Sequence, residues 1–299
     1  MTTQVPRSPG VTAELPWASA RIPRAPQPGP GGLIDANSFL GDWPARRLNG
    51  SPPPSREALV TQRLRLMDQL GIRRAAVALL EGVLLKDANV ANAELHQLIG
   101  GHTERFFPVY TLNPTFPDAT EQLERCRQEY GLAPGTGAVR LHPSFQRYAL
   151  DDARLADALL PLRRLDLPVV LTLQLEDSRI HHPAMQVPDP KPETVADFVN
   201  RWPDLRWVLA GGRYREVREI GTRLWRDARV WFDIARVQGP MDCVRSLRDA
   251  IGTHRLLFGT NLPFIVPESP IMELGDARLQ DEEDAAVRYR NAALALGIR

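Results

Sequence analysis

Eight segments that read as buried strands alternate with segments of helical periodicity from Leu33 onward, and this count predicts an α/β fold, a closed (β/α)8 TIM barrel. Two further observations support the expectation. Several strand segments are short apolar runs, as in parallel sheets covered on both faces. Turn chemistry follows them, most clearly in Arg255-Leu256-Leu257-Phe258-Gly259-Thr260-Asn261-Leu262-Pro263, where the polar Asn261 stands at the end of the eighth strand. An open doubly wound sheet is the rival, because strand order cannot be read from one sequence. No Gly-rich phosphate loop follows the first strand, which weakens a nucleotide-binding version of that rival.

Residues 1–32 are rich in proline and glycine, with Ile22 to Gly32 reading IPRAPQPGPGG, and are expected to form a flexible or wrapping arm ahead of a barrel over residues 33–299. Leu33 to Phe39 is the first strand; Ser55 then caps a helix striped by Val60, Leu64 and Met67 and ended by Gly71. Arg74 to Leu80 is the second strand, and Asp87 is expected to cap the helix of Ala91, Leu95 and Leu98. Phe106 to Leu112 precedes a helix with Leu123, Cys126 and Tyr130 on one side. Gly137 to Leu141 leads through His142-Pro143 to the helix of Leu155, Leu159 and Leu162, which Pro161 should kink. Val169 to Leu173 is followed by a helix opened by Pro192, Arg206 to Ala210 by the helix of Val217 and Ile220, and Val230 to Ile234 by that of Val244, Leu247 and Ile251. Residues 255–261 complete the strands, and Asp281-Glu282-Glu283-Asp284 opens a final helix whose dipole favours acids there.

Composition bounds the function. With 299 residues and 43% apolar content, the chain can bury one large core. A formal charge of +1 gives no electrostatic reason for nucleic acid or an anionic membrane. Only Lys86 and Lys191 among the 37 basic residues are lysines, a bias that genome composition explains. Cys126 and Cys243 fit no zinc spacing and are expected reduced and buried, which suits a cytoplasmic protein. No apolar run approaches a membrane span, and the N-terminus has no signal pattern.

In a barrel the chemistry lies at the C-terminal strand ends. The polar candidates there are Asn37, Asn113, Arg140, His142, Asp233, Arg236 and Asn261. Two long connections, Leu40–Pro54 and Leu175–Pro190, add Trp43 from the first and Glu176, His181 and His182 from the second. A guanidinium at Arg140, with Arg236 as a second clamp, suits a substrate carboxylate. The alternative for Arg140 is an internal ion pair with Asp233 or Glu176. Asp233, His142 or His182 would move a proton; Asp233 or Glu176, buried near Phe39 and Trp43, would have a raised pKa. Asn37 and Asn261 would polarise a carbonyl as uncharged donors. Three amides at strand ends, Asn37, Asn113 and Asn261, are costly if buried without partners and favour a polar ligand or ordered water in the mouth.

The chain resembles the amidohydrolase-related family, which also holds metal-dependent decarboxylases of the aminocarboxymuconate-semialdehyde type and metal-independent pyrone-dicarboxylate lactonases. The resemblance spans residues 33–299 and rests on Ile34-Asp35 with Gly41, Val139-Arg140-Leu141-His142-Pro143, Leu167-Pro168-Val169, Trp202-Pro203-Asp204-Leu205, Phe258-Gly259-Thr260-Asn261-Leu262-Pro263 and Asn291. It implies a barrel hydrolase or lyase. Where the family has a His-x-His pair this chain has Asn37-Ser38-Phe39, the usual strand-five histidine falls on Thr172, that of strand six near Ala210-Gly211, and the strand-eight aspartate on Asn261.

The expectation is therefore a barrel without cofactor that hydrolyses a lactone, ester or amide, or acts as a C–C lyase, on a small carboxylated molecule. One alternative is a zinc- or manganese-dependent hydrolase or decarboxylase using His142, His181, His182 and Glu176. The other is a non-catalytic barrel serving as a binding or scaffold protein. A homo-oligomer is compatible with either.

Overall fold

Eight strands pair in parallel and in chain order, β1 (Leu33–Leu40), β2 (Ile72–Leu79), β3 (Phe106–Thr111), β4 (Ala138–Leu141), β5 (Val169–Thr172), β6 (Trp207–Ala210), β7 (Val230–Asp233) and β8 (Leu256–Leu257). The computed structural model describes residues 32–44, 48, 54–181 and 187–298. The expected arm over residues 1–32 therefore lies outside the described residues except for Gly32. Backbone bonds beyond β8 close the ring: Ala36 N–H donates to Phe258 O at 2.9 Å, Asn261 N–H to Asn37 O at 2.7 Å and Phe39 N–H to Leu262 O at 2.8 Å. A doubly wound sheet would leave two edges and would not run in chain order, so the rival topology falls.

Side-chain parity sorts the strands into two cores. On β5 to β7 the odd set (Val169, Leu171, Leu209, Trp207 among it) together with Val230 and Phe232 packs outward under the helices. Ala76, Ala78, Ala138, Val170, Val208, Ala210 and Trp231 point into the barrel. The alternation continues to the strand ends, so Arg140 and His142 on β4, Thr172 and Gln174 on β5 and Asp233 on β7 share the inner side. Four inward alanines leave the room that Arg140, Phe39 and Trp231 occupy.

The outer layer comprises α1 (Arg56–Leu70), α3 (Asn89–Ile99), α4 (Ala119–Glu129), α6 (Arg154–Arg164), α7 (Pro192–Asn200), α8 (Tyr214–Arg223) and α9 (Cys243–Ile251). Ser55 caps α1 as expected, accepting from Ala58 N–H at 3.2 Å, and Gly71 ends it in the left-handed region. Asp87 does not cap α3; its carboxylate instead accepts from Asn89 N–H at 2.9 Å and from Gln122. α6 runs through Pro161 to Arg164. Three short helices carry no usable period: α2 (Glu81–Leu84), α5 (Pro143–Gln146) and α11 (Asp281–Ala285). With α10 (Glu268–Asp276) after β8, the final helix divides into α11, a π-helical turn over Ala286–Arg290 and α12 (Asn291–Leu296). Cys126 and Cys243 are free and buried. No helix among the described residues is long and apolar enough to cross a membrane.

Candidate active site

Arg140 is the centre of the barrel mouth. It is 1% exposed, its Nε donates to Thr172 Oγ1 at 2.9 Å and its Nη2 to Asn37 Oδ1 at 2.8 Å. The guanidinium carbon stands 4.1 Å from the centroid of the Phe39 ring, within the range of a cation–π contact. Burial lowers its pKa to about 9, with Asp233 and Asp35 acting in the opposite direction, so it is a cation at neutral pH. The internal ion pair considered from sequence does not form: Asn37 stands between Arg140 and Asp233.

Asn37 connects the network. Its Nδ2 donates to Asp233 Oδ2 at 3.3 Å and to Asn261 Oδ1 at 3.4 Å, while Asn261 Nδ2 donates to Leu175 O at 2.8 Å. Asp233 also accepts from Gly211 N–H at 2.7 Å and Ala235 N–H at 2.8 Å. Gly211 is required there: its φ is +77°, and a Cβ would lie 2.0 Å from Gln174 O. Burial raises the Asp233 pKa, as expected, against the lowering effect of those backbone donors. This geometry supplies protein partners for two of the three strand-end amides. Asn37 and Asn261 satisfy each other and their neighbours, so their burial does not call for a ligand, and the role of carbonyl-polarising donors loses its geometric support. Asn113 does not join them; its Oδ1 accepts from Thr115 N–H at 3.1 Å and its Nδ2 donates to Lys86 O at 3.3 Å, a local turn.

His142 differs from all of these. It is 1% exposed, and neither Nδ1 nor Nε2 has a hydrogen-bond partner. Its ring lies 6.4 Å from that of Phe39, and burial followed by the nearby Arg140 charge pushes its pKa well below the usual imidazole value. Arg236, the expected second clamp, is turned to the protein: Nη2 donates to Gln174 Oε1 at 2.7 Å and Nη1 to Leu175 O at 3.2 Å.

Aromatic side chains cover this network. Trp43 packs edge-on against Phe145 at 5.7 Å and Phe264 at 5.4 Å between ring centroids, and Phe264 meets Phe39 at 6.1 Å. Trp43 Nε1 donates to Glu176 Oε1 at 3.2 Å and so ties the two long connections together. Glu176 thus contributes to the cover. His181 is partly buried with both nitrogens unpartnered, and His182 lies outside the described residues. Among the described residues, no group of three His, Cys, Asp or Glu side chains is placed to hold a metal, so the ligand set of His142, His181 and Glu176 does not assemble. Phe145, on an unpredicted four-residue helix, and Asp35, a charge inside a strand, were missed from sequence; only the second leaves a signal there.

No curated protein matches the sequence. Solved structures do. The chain is similar to 2,6-dihydroxybenzoate decarboxylase from Rhizobium, at 19% identity and a TM-score of 0.64, over 89% of this chain and 98% of that one. It is similar to 5-carboxyvanillate decarboxylase from Sphingomonas paucimobilis, at 16% identity and a TM-score of 0.67, over 90% and 100%. A third is a dihydroxybenzoic acid decarboxylase from Polaromonas with bound manganese and the inhibitor 2-nitroresorcinol, at 16% identity and a TM-score of 0.64, over 89% and 97%. At these identities the likeness shows the fold. The manganese in such barrels overturns the sequence-based expectation of a protein without cofactor. Donor chemistry in the described mouth does not match it, since Asn37, Phe39, Thr172 and Asn261 surround a fixed guanidinium there. Over residues 16–298 the sequence matches the amidohydrolase family, and with the barrel and its strand-end site in place, the chain belongs to that family.

Proposed function

We propose that the protein is a C–C lyase that releases CO2 from a small aromatic carboxylate carrying a ring hydroxyl. The observation that carries this reading is the buried Arg140 cation, held by Thr172 and Asn37 over the Phe39 ring, with the aromatic cluster of Trp43, Phe145 and Phe264 packed against that ring. Flat aromatic surfaces suit a planar ring, and a dry cation suits an anion. The fold likeness to decarboxylases of dihydroxybenzoate and carboxyvanillate supports the same substrate class.

Charge flow decides where the cation acts. As the carboxylate becomes neutral CO2, negative charge moves into the ring and onto its hydroxyl oxygen. A cation bound to the carboxylate stabilises the ground state, whereas one at the ring oxygen stabilises the transition state. The Arg140 cation therefore serves the ring oxygen, and the carboxylate rests against the apolar faces of Phe39 and Phe264, where loss of water favours its departure. Asn37 and Thr172 hold the guanidinium in place.

The test is CO2 release from 2,6-dihydroxybenzoate and 5-carboxyvanillate, measured with manganese supplied. Arg140→Met should lower kcat by about a hundredfold, on the order of 3 kcal/mol for one charge-assisted contact, with a smaller change in KM. No CO2 from either compound by folded wild-type protein would sink the reading.

A further inference from the structure

Among the described polar groups buried at the barrel mouth, His142 combines nearly complete burial, a place at the Phe39 ring that also carries Arg140, and two ring nitrogens with no hydrogen-bond partner. A buried imidazole normally has at least one nitrogen fixed by a backbone carbonyl or carboxylate, which sets its tautomer. Here neither is fixed. Arg140 and His142 are two residues apart on the inner side of β4, and both face the Phe39 ring, the guanidinium at 4.1 Å and the imidazole at 6.4 Å. The unconstrained tautomer is the property a proton relay needs: one nitrogen accepts while the other donates.

We propose that His142 carries a proton from the ring hydroxyl of the substrate to the ring carbon that bears the carboxylate. The proposal rests on the decarboxylase reading above. In the first step a lone pair on one nitrogen takes the hydroxyl proton, leaving a phenolate beside Arg140 and an imidazolium. In the second, the imidazolium gives up a proton to the carbon bearing the carboxylate; a new C–H bond forms from the ring's electrons, and the ring becomes a cyclohexadienone. In the third, the C–C bond breaks, its electron pair returns the ring to a phenolate, and CO2 leaves. The phenolate takes a proton from water on release, so the sum is one carboxylate and one proton converted into one C–H bond and CO2. Nothing is oxidised or reduced by a second reactant. Burial beside a cation keeps His142 neutral in the free protein and makes its protonated form a strong acid toward the ring carbon, while the Arg140 charge at the phenolate oxygen offsets the cost of the first transfer. The charge that acts on it is Arg140, two residues back in the chain.

The test uses the full chain labelled with 15N-histidine, the non-reacting probe 2-nitroresorcinol, and the variants His142→Gln and His142→Asn, the first of which also assigns the His142 signals. Binding of the probe to wild-type protein should shift both His142 nitrogen resonances. The Gln variant, or Asn if Gln does not fold, should bind the probe within about threefold of wild type while kcat for 2,6-dihydroxybenzoate or 5-carboxyvanillate falls at least about a hundredfold. Unmoved His142 resonances with bound probe, or a folded variant that turns over at the wild-type rate, would overturn the relay and leave the decarboxylase reading intact. Wild-type protein that decarboxylates neither compound overturns that reading, and the relay with it.

Discussion

The two sides of the barrel mouth treat buried polar groups in opposite ways. At the seam where β1 meets β8, every candidate is bonded to protein: Asp35 to Thr260, Asn37 to Asp233 and Asn261, and Asn261 to Leu175. On the β4 side, both nitrogens of His142 and the Tyr148 hydroxyl have no partner, and Gln146 next to them has none at either end of its amide. An unmade hydrogen bond in a dry site costs about 1–3 kcal/mol, so three neighbouring side chains left open at one place are an uneven distribution of that cost. The seam spends its polar groups on closing the barrel, whereas the β4 side leaves polar atoms unbonded. Residue type alone would rank the sides the other way, since the seam carries more amides and carboxylates.

The largest effect should come from the seam. Asp233→Ala leaves the buried Gly211 and Ala235 N–H groups without acceptors and removes the charge that offsets Arg140. Urea denaturation should show a loss of about 3–5 kcal/mol, the range for breaking one member of a buried polar network. Asp233→Asn keeps an acceptor for Ala235 and should lose less. A loss under about 1 kcal/mol for the alanine variant would mean that Asp233 is not a closure residue and would return it to the list of candidate bases.

Asp35 gives the next effect, and pH reads it. Its carboxylate accepts from Thr260 N–H at 2.9 Å, Thr260 Oγ1 at 2.6 Å and Asn37 N–H at 3.1 Å, yet burial outweighs these donors and raises its pKa from 3.8 to about 6. The folded state therefore binds the proton more tightly than the unfolded chain does. Asp35 favours folding most below pH 3.8, and that contribution is lost as pH rises through about 6. The size is on the order of 3 kcal/mol across the window. Asp35→Asn cannot titrate, so the stability difference between wild type and variant should move against the wild type by that amount between about pH 4 and 6. A difference that is flat with pH would show that the Thr260 and Asn37 donors, with the Arg63 charge, hold the carboxylate near its ordinary pKa.

Strand count, parity and the place of the mouth were legible because they depend on local period. The apolar runs fix which residues face the helices, and the two-residue step from Arg140 to His142 puts both on the inner side by the strand period alone. What the network does with Asn37 was not legible. Its partners Asp233 and Asn261 lie 196 and 224 residues away, and whether an amide there is satisfied depends on how the ring closes. Asn113 was misplaced for a related reason, since its own Thr115 offers an Asx turn that a strand-end rule ignores. The cover was half legible: Trp43 announced itself as an aromatic residue in a long loop, but Phe145 sits on a four-residue helix, too short to show a period.

The cover gives the smallest effect and the closest test of the contrast between the two sides. If Trp43 belongs to the closed set, its indole N–H has the same standing as the Asn37 amide, and removing it should cost stability even with the ring stack kept. Trp43→Phe preserves an aromatic ring near Phe145 and Phe264 and deletes the donor to Glu176; Glu176→Gln removes the charge at nearly constant volume. The two substitutions and their combination form a double-mutant cycle on unfolding free energy, and a charge-assisted bond in a buried setting should couple by about 1–2 kcal/mol. A coupling near zero would place the cover with the β4 side instead: a contact made only in passing, over a mouth that opens without breaking any bond of consequence. A full coupling means that the two long connections are tied together while the mouth is closed. Ligand entry would then have to break the Trp43–Glu176 bond, and the Trp43→Phe variant should bind 2-nitroresorcinol faster than wild type while its release quickens to the same degree.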